Sequence, residues 1–226
     1  MLQNLLRRIT TRLYKPILQQ YLEKPRSYYY SPFKLTILPG VFHPGFFYST
    51  KFLLAYTDRL NFSDKTVIEV GAGNGLISFH AARKAKKVIA LELSKTAIKG
   101  LELNKESNRD FLPENVLQIV ESNLFDSITP QVIDYIIVNP PYYPYKVKNE
   151  AELAWNCGEQ FEYFFLFFKQ VVQFMDHQSK IIMVLSDQCN LNRIRQIATQ
   201  HKLHMELKAT KKFLIESNQI YEIMLH

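Results

Sequence analysis

Apolar and polar positions along this chain of 226 residues follow two different patterns. Short apolar runs are typical of buried strands, and an apolar residue every three or four positions is typical of an amphipathic helix. The runs predict strands at 66–71, 87–92, 116–120, 133–138 and 180–186, with a terminal antiparallel pair near 203–212 and 219–226. The wider spacing predicts helices at 50–60, 75–84, 94–106, 159–175 and 190–201, the first of them capped by Ser49. Strands and helices that alternate through short links predict an α/β fold with a mostly parallel, helix-covered sheet.

The first 45 residues show a different pattern. Apolar side chains recur at three- or four-residue steps over 2–23, which predicts a short N-terminal amphipathic helix. Its polar side carries four basic residues, Arg7, Arg8, Arg12 and Lys15. The tyrosines 28–30 follow, and then a short strand that ends in a turn near residue 40. We therefore predict a basic amphipathic N-terminal extension, residues 1–45, followed by a main domain, residues 46–226.

The charge distribution supports this division. Residues 1–60 contain nine basic and two acidic side chains, so they account for the whole net charge of +7, and the remainder is neutral. A basic helix of this kind suits RNA, an anionic membrane surface, or simple packing on the main domain with a solvated basic face. These alternatives stay open on the sequence alone.

Several classes of protein are disfavoured by composition. The two cysteines, Cys157 and Cys189, and the six scattered histidines match no metal-ligand spacing, so no metal site is expected. No run of 18 apolar residues is present, so no integral membrane segment is expected. The N-terminus lacks the pattern of a signal peptide, and we expect a reduced, cytoplasmic protein.

An unusual tetrapeptide, Asn139-Pro140-Pro141-Tyr142, directly follows the apolar run 133–138. Two prolines donate no backbone N–H and have φ fixed near −65°, so the chain leaves the sheet as a stiff segment. The Asn139 side-chain oxygen and the Pro140 carbonyl then form a fixed pair of acceptors beside an aromatic ring. Such a pair can hold a planar –NH₂ group while the ring stacks on it, although Asn and Pro are also ordinary turn residues.

A second motif lies upstream. Gly71, Gly73 and Gly75 follow the predicted strand 66–71 and open a predicted helix, where glycine permits positive φ and close approach to a ligand. The next predicted strand ends in Glu92, 19 residues after Gly73. An acid at this point is placed to accept hydrogen bonds from both hydroxyl groups of a ribose.

Together, the two motifs resemble the class I S-adenosylmethionine-dependent methyltransferases. They occur in the same order, 64 positions apart from Gly75 to Asn139, and the resemblance covers roughly residues 41–226. More narrowly, the chain is similar to the branch with an Asn-Pro-Pro-Tyr motif, which includes HemK-like glutamine methyltransferases and enzymes that modify adenine or guanine. The resemblance implies a Rossmann-like sheet, S-adenosyl-L-methionine as the cofactor and S-adenosyl-L-homocysteine as its product.

The resemblance also implies roles for individual residues. The residues implied in cofactor binding are Glu69, Gly71, Gly73, Gly75, Glu92, Asn123, Leu124 and Asn139. Those implied in catalysis are Asn139, Pro140 and Tyr142. Asn123 stands where Asp is common in the family, and Leu124 or Phe125 is expected to form an apolar wall for the adenine. The loop 41–48 resembles the segment that closes over the methionine end, so Phe46, Phe47 or Tyr48 is expected there.

The implied reaction is methyl transfer to a planar amino or amide nitrogen. A base in RNA is one substrate, bound through the basic extension, and a protein glutamine is another, as in the HemK-like enzymes. Those enzymes usually have a larger helical N-terminal domain, and a basic arm fits RNA better. A small amine remains open, as does a non-catalytic cofactor-fold protein that acts as a scaffold. Trp155 could stack on a base or serve only in packing.

Overall fold

The structure is a computed structural model that describes residues 21–46, 48–147, 152–213 and 217–226. The predicted helix over 2–23, with its four basic residues, therefore falls almost entirely outside the described residues. The same holds for Phe47 in the loop 41–48.

A seven-stranded sheet forms the centre of the molecule. Its strands are β3 (Thr66–Val70), β4 (Lys87–Glu92), β5 (Leu117–Glu121), β6 (Tyr135–Val138), β7 (Lys180–Ser186), β8 (Leu203–Lys212) and β9 (Ser217–Leu225). The order across the sheet is β5-β4-β3-β6-β7-β9-β8, and β9 runs antiparallel to both of its neighbours. The remaining strand pairs are parallel. The predicted α/β fold, a mostly parallel Rossmann-like sheet with an antiparallel terminal strand, is confirmed.

Five helices cover the two faces of the sheet in the described part of the chain. They are α1 (Tyr48–Thr57), α2 (Leu76–Ala82), α3 (Lys95–Ser107), α4 (Glu162–Val171) and α5 (Leu191–Gln200). All five were predicted, but two details were wrong. Helix α1 begins before Ser49, which therefore lies inside the helix and does not cap it. The helix predicted at 159–175 is shorter, because Val172–Phe174 forms a tighter 3-10 turn at its end.

The strand sequences explain why the sheet is covered on both sides. Ile68, Ile136 and Ile181 point into one apolar cluster beneath α4 and α5. Val67 and Ile137, one position away in their strands, point into a second cluster beneath α1, α2 and α3. A sheet buried on both faces is built from nearly continuous apolar runs, which is the pattern seen in the sequence.

A small hairpin precedes the sheet. Strands β1 (Arg26–Tyr30) and β2 (Phe33–Ile37) pair antiparallel, and Phe33, Leu35 and Ile37 are buried in the same apolar cluster as α1, α2 and α3. The hairpin therefore shares the core of the main sheet. The division of the chain at residue 45 stays a prediction about the role of the N-terminal residues.

Two asparagines four positions apart hold this hairpin in place, Asn104 in the last turn of α3 and Asn108 directly after its end. Asn104 Oδ1 accepts from the backbone N–H of Thr36 (2.7 Å), and its Nδ2 donates to the Thr36 carbonyl (3.1 Å). Asn108 binds the N–H and carbonyl of Lys34 in the same way, both at 2.9 Å. Both side chains are buried, so these bonds replace contacts with water that the groups have lost. Asn104 Nδ2 also donates to the carbonyl of Asn74 (3.1 Å), which links the hairpin to the glycine loop.

No helix of the described residues is both long and apolar enough to span a bilayer.

Candidate functional site

A cavity of about 320 Å³ opens at the carboxyl ends of β3, β4 and β6. Beside β3 the chain order across the sheet reverses, since β4 and β5 lie on one side and β6 and β7 on the other. Ligands of open α/β sheets bind in the crevice at this reversal, and the volume falls in the range of about 300–1,000 Å³ typical of small-molecule sites. The cavity is therefore placed and sized for a small ligand.

The glycine-loop end of the cavity is formed by residues 71–74, 92–94 and 122–124. Gly71, Gly73 and Gly75 all have positive φ, at 73°, 55° and 87°. Gly75 has no room for a side chain, because a Cβ there would lie 2.3 Å from Leu101 Cδ1. Gly71 has open space, with nothing within 4 Å of the same position. Gly75 therefore serves the packing of the loop, whereas Gly71 leaves room on the cavity side.

The carboxylate of Glu92 is held by three backbone N–H groups. Oε2 accepts from Gly73 (2.8 Å), and Oε1 accepts from Leu93 (2.8 Å) and Ser94 (2.9 Å). A carboxylate has about four lone-pair positions, and three of them are used here, so one position on Oε2 stays open. Glu92 is thereby fixed in one orientation and can receive a hydroxyl group at Oε2.

A second carboxyl group, Glu69, lines the cavity from β3 and is only 5% exposed. Its Oε2 accepts a short hydrogen bond from the hydroxyl of Ser78. Burial raises the pKa of Glu69 to about 8, and the nearby charge of Glu92 adds to the increase, against the opposing effect of Ser78. A cation in the cavity would lower this pKa again, because it favours the ionised form.

The side walls at this end are apolar. Leu93 follows Glu92, and Leu124 has a left-handed backbone with φ 51°. Asn123 and Tyr163 also line the cavity. Burial raises the pKa of Tyr163, so its hydroxyl stays protonated. Of the two expected walls only Leu124 lines the cavity, since Phe125 is buried in the core and stacks on Phe174 at 4.8 Å.

The Asn139 end of the cavity is formed by residues 139–142, 49–50 and 153–157, together with Phe42. Asn139 Nδ2 donates to Ser49 Oγ at 3.3 Å. This contact ties the first residue of the tetrapeptide to α1 and directs the amide nitrogen toward the helix. Pro140 and Pro141 are buried, so the segment that carries Asn139 is held on both sides.

The chain beyond the tetrapeptide is held by backbone pairing. The N–H groups of Tyr142 and Tyr143 both donate to the Trp155 carbonyl, at 3.1 and 2.9 Å. The Tyr143 carbonyl in turn accepts from Cys157 at 2.9 Å. The Trp155 ring lines the cavity and packs on Phe42, with centroids 5.1 Å apart. Aromatic side chains thus surround the Asn139 end, and Trp155 both packs and faces the ligand space.

Of the three residues expected from the 41–48 loop, Phe46 and Tyr48 do not line the cavity, and Phe47 lies outside the described residues. Phe46 packs on His43, with centroids 4.6 Å apart, and Tyr48 stacks on Phe213 at 4.2 Å. The loop and helix instead present Phe42, Ser49 and Thr50 to the cavity. Ser49 was read as a helix cap because Ser is common there, and only the contact with Asn139 reveals its position.

The described lining residues include three carboxyl groups, Glu69, Glu92 and Glu162, and no lysine, arginine or histidine. The cavity therefore favours a ligand with positive charge. Among the described residues no group of histidine, cysteine, aspartate or glutamate side chains could hold a metal ion. Of the residues implied in cofactor binding and catalysis, Gly75 supports the loop from behind, and the others line this one cavity: Glu69, Gly71, Gly73, Glu92, Asn123, Leu124, Asn139, Pro140 and Tyr142.

The sequence profile of one family, described as the methyltransferase small domain, matches residues 32–217. The chain belongs to the methyltransferase small domain family. The match includes β2 with the two strand-loop motifs, and it ends at the start of β9.

Individual relatives of this methyltransferase small domain are named for different activities. A candidate protein N5-glutamine methyltransferase of Methanocaldococcus jannaschii is 34% identical over 113 residues, which is 49% of this chain and 52% of the relative. A tRNA1(Val) (adenine(37)-N6)-methyltransferase of Haemophilus influenzae is 31% identical over 98 residues, 40% of this chain and 41% of the relative. The match thus spans about half the length of each curated relative, or less.

A solved structure supports the fold. The 16S rRNA N2 methyltransferase of T. thermophilus, in complex with AdoMet and guanosine, superimposes with a TM-score of 0.63 at 17% identity. The match covers 90% of this chain and 50% of that one.

Proposed function

We propose that this protein is an S-adenosylmethionine-dependent methyltransferase that acts on a planar amino or amide nitrogen, with a base in RNA as the substrate. The observation that carries the proposal is the shared cavity: the fixed carboxylate of Glu92 lies at one end and Asn139 at the other. A cofactor site and an acceptor site are therefore within one enclosed space, as a direct methyl transfer requires.

The residues present fit the proposed cofactor. Glu92 would accept from the ribose hydroxyls at the open position on Oε2, the apolar walls Leu93 and Leu124 would enclose the adenine, and Asn123 would bind its polar edge. Glu69 would face the amino group of the methionine part, where its carboxylate is stabilised by the positive charge. An excess of carboxyl groups in the lining agrees with a cofactor that carries a sulfonium and an ammonium group. When bound, this cofactor supplies a methyl group that is already strongly electrophilic.

The protein's own chemical task is then to activate the acceptor nitrogen. The lone pair of an amide or aromatic amine is delocalised, so the nitrogen is a weak nucleophile. Asn139 Oδ1 and the Pro140 carbonyl would accept its two N–H hydrogens and favour the positive charge that develops there. Ser49 supports this role, because it engages the Asn139 amide nitrogen and leaves Oδ1 as the acceptor. Tyr142 would stack on the planar group and hold it in line with the methyl carbon.

The aromatic lining favours a base over a glutamine side chain. Phe42, Tyr142 and Trp155 surround the Asn139 end, and aromatic faces bind flat rings by stacking. The H. influenzae relative is named for adenine methylation in tRNA, and the T. thermophilus structure contains guanosine. We further propose that the basic residues of the N-terminal extension contact RNA phosphates, which would give those residues a role in substrate binding.

Protein glutamine methylation is the second candidate. It is favoured by the M. jannaschii relative, which is named for that activity and is 34% identical over the matched part. The same acceptor pair would bind a glutamine amide, so the residues at Asn139 do not separate the two substrates.

The deciding experiment is the transfer of labelled methyl from S-adenosylmethionine into a cell extract, followed by separate digestion with RNase and protease. Label released by RNase is the expected result. Label that resists RNase and yields to protease would replace the RNA substrate with a protein. An Asn139→Ala variant in the same assay controls for other methyltransferases in the preparation. Failure of the protein to bind S-adenosylmethionine in calorimetry would leave only a scaffold role.

A further inference from the structure

The exposed ring of Tyr48 stacks on the half-buried ring of Phe213 at the surface, outside the cavity lining. Tyr48, the first residue of α1, is 53% exposed, and its ring lies 4.2 Å from that of Phe213 with an interplanar angle of 15°. Phe213 directly follows β8, and Lys211 Nζ lies 5.6 Å from its ring centroid. Lys211 and Lys212 are both exposed at the end of β8.

We propose that this aromatic-lysine patch, Tyr48, Lys211, Lys212 and Phe213, binds a single-stranded stretch of RNA that flanks the nucleotide in the cavity. The inference rests on the proposed function, since it requires an RNA substrate. It adds a binding surface within the folded domain, separate from the basic N-terminal residues and from the residues that line the cavity.

The position of the patch supports this role. Lys211 pairs with Asn218 on β9, and Asn218 pairs with Ser186, the last residue of β7. The lysine end of β8 is thus at the carboxyl edge of β7, the strand that neighbours β6 and its tetrapeptide. Neighbouring strands are about 4.8 Å apart, so β8 lies about 14 Å from β6. This distance suits nucleotides next to the one that is modified.

The patch is also connected to the Asn139 end of the cavity through helix α1. Tyr48 immediately precedes Ser49, the residue whose hydroxyl accepts from the Asn139 amide. The stacked pair and the acceptor site are therefore attached to the same helical turn. A strand that leaves the cavity past Ser49 would meet Tyr48 first and the two lysines next.

The chemistry of the patch matches a single strand. Ring faces stack on bases of any sequence, and lysines neutralise the phosphates between them. Residues 207–213 contain three lysines and no acidic side chain. The nearby Asp187 is engaged with the Ser186 hydroxyl at 3.3 Å. A purely charged surface for an acidic protein would have no use for the exposed Tyr48 ring, which is held by its stack on Phe213.

The test is binding of a short labelled single-stranded RNA, followed by fluorescence anisotropy over a range of salt concentrations. The Lys211→Gln/Lys212→Gln variant should weaken binding and reduce the slope of log affinity against log salt by about 1.4, two phosphate contacts at about 0.7 each. Tyr48→Ala should weaken binding by about five-fold or more, with the salt slope unchanged. Affinity for S-adenosylmethionine, measured by calorimetry, should stay at the wild-type value in both variants and so report an intact fold.

Matched controls lie elsewhere on the surface. Lys99→Gln/Lys169→Gln removes the same charge from exposed positions on α3 and α4, and Phe165→Ala removes a ring that is 49% exposed on α4. Both controls should bind RNA like the wild type. Equal losses of RNA affinity in the patch and control variants would overturn the proposal in favour of non-specific attraction. The same holds if Lys211→Gln/Lys212→Gln weakens binding and Tyr48→Ala does not. These results are independent of the extract assay, in which label on protein would remove the RNA substrate and the patch's role together.

Discussion

The two ends of the cavity are held in place by different kinds of contact. At the glycine-loop end, Glu92 is fixed by N–H groups of Gly73, Leu93 and Ser94, within 19 positions of itself. At the Asn139 end, the decisive contact joins residues 90 positions apart, Asn139 and Ser49. One end is built by local backbone geometry and the other by tertiary packing.

This difference separates binding from chemistry. A ligand held at the glycine-loop end meets groups that are already fixed by the backbone, so its affinity should depend on that end alone. Turnover should depend on the Asn139 end, where α1, the tetrapeptide and the segment around Trp155 must all be in place. Substitutions at the two ends should therefore affect different measurements.

The largest expected effect is at Asn139. Asn139→Ala should lower kcat by about 10³-fold, or about 4 kcal/mol of transition-state stabilisation, because an acceptor for the developing charge is lost. The affinity for S-adenosylmethionine should change by no more than a few fold. Single-turnover methyl transfer and calorimetry measure the two quantities.

Ser49→Ala is the matched control for this change. It leaves the acceptor oxygen but removes the contact that orients it, so a loss of a few fold in kcat is expected, with unchanged cofactor affinity. Undiminished turnover in Asn139→Ala would remove Asn139 from the mechanism.

Next in size is a contrast between two glycines of the same loop. Gly75→Ala should lower the free energy of unfolding by about 3 kcal/mol, since its Cβ would collide with Leu101 and its φ is positive. Gly71→Ala should cost only about 1 kcal/mol, from φ alone, but should weaken cofactor binding because its Cβ enters open space at the cavity. Urea denaturation and calorimetry measure the two effects, and equal effects at the two glycines would show that the loop rearranges.

Glu92→Gln tests the glycine-loop end of the cavity by the same two measurements. Replacing the carboxylate by an amide removes a charged acceptor for the ribose hydroxyls, and charge-assisted hydrogen bonds are each worth about 1.5–3 kcal/mol. Affinity for S-adenosylmethionine should fall about 10- to 100-fold, while kcat at saturating cofactor should stay near the wild-type value. A fall in kcat with unchanged affinity would contradict the division between the two ends.

A different kind of test is the pH dependence of stability at Glu69. Its pKa in the folded protein is about 8, above the ordinary value of 4.5, so the folded state holds a proton that the unfolded state has released. Stability should therefore fall as pH rises from about 4.5 to 8, by about 1.4 kcal/mol per pH unit for one proton. The difference in unfolding free energy between Glu69→Gln and wild type should increase across this range in favour of the variant. A difference that is constant with pH would show that Glu69 does not carry the proton.

The glycine-loop end of the cavity was the one that the sequence could predict. Strand β4 has the predicted bounds, 87–92, and Glu92 lies at its tip beside the glycine loop. Parallel order places the ends of β3, β4 and β6 at one edge, so the shared cavity follows from the fold. Asn123, despite its departure from the common Asp, also lies on that cavity.

The Asn139 end of the cavity could not be predicted in detail. Ser49, Phe42 and Trp155 come together through the packing of a loop, a helix and a strand-like segment, and no short-range pattern marks that arrangement. Tyr48 illustrates the difficulty. Its place next to Ser49 made it a reasonable pocket residue, but one helical step rotates its ring outward onto Phe213.

The Asn104 side chain has a practical consequence for shortening this protein. It binds the backbone of Thr36 on one side and the carbonyl of Asn74, in the glycine loop, on the other. A fragment that starts at residue 46 would leave this buried amide without its hairpin partners and would open the apolar surface that Phe33 and Leu35 cover. The smallest expressible unit with an intact glycine loop should therefore begin before Arg26, and the hairpin should be treated as an indispensable part of it.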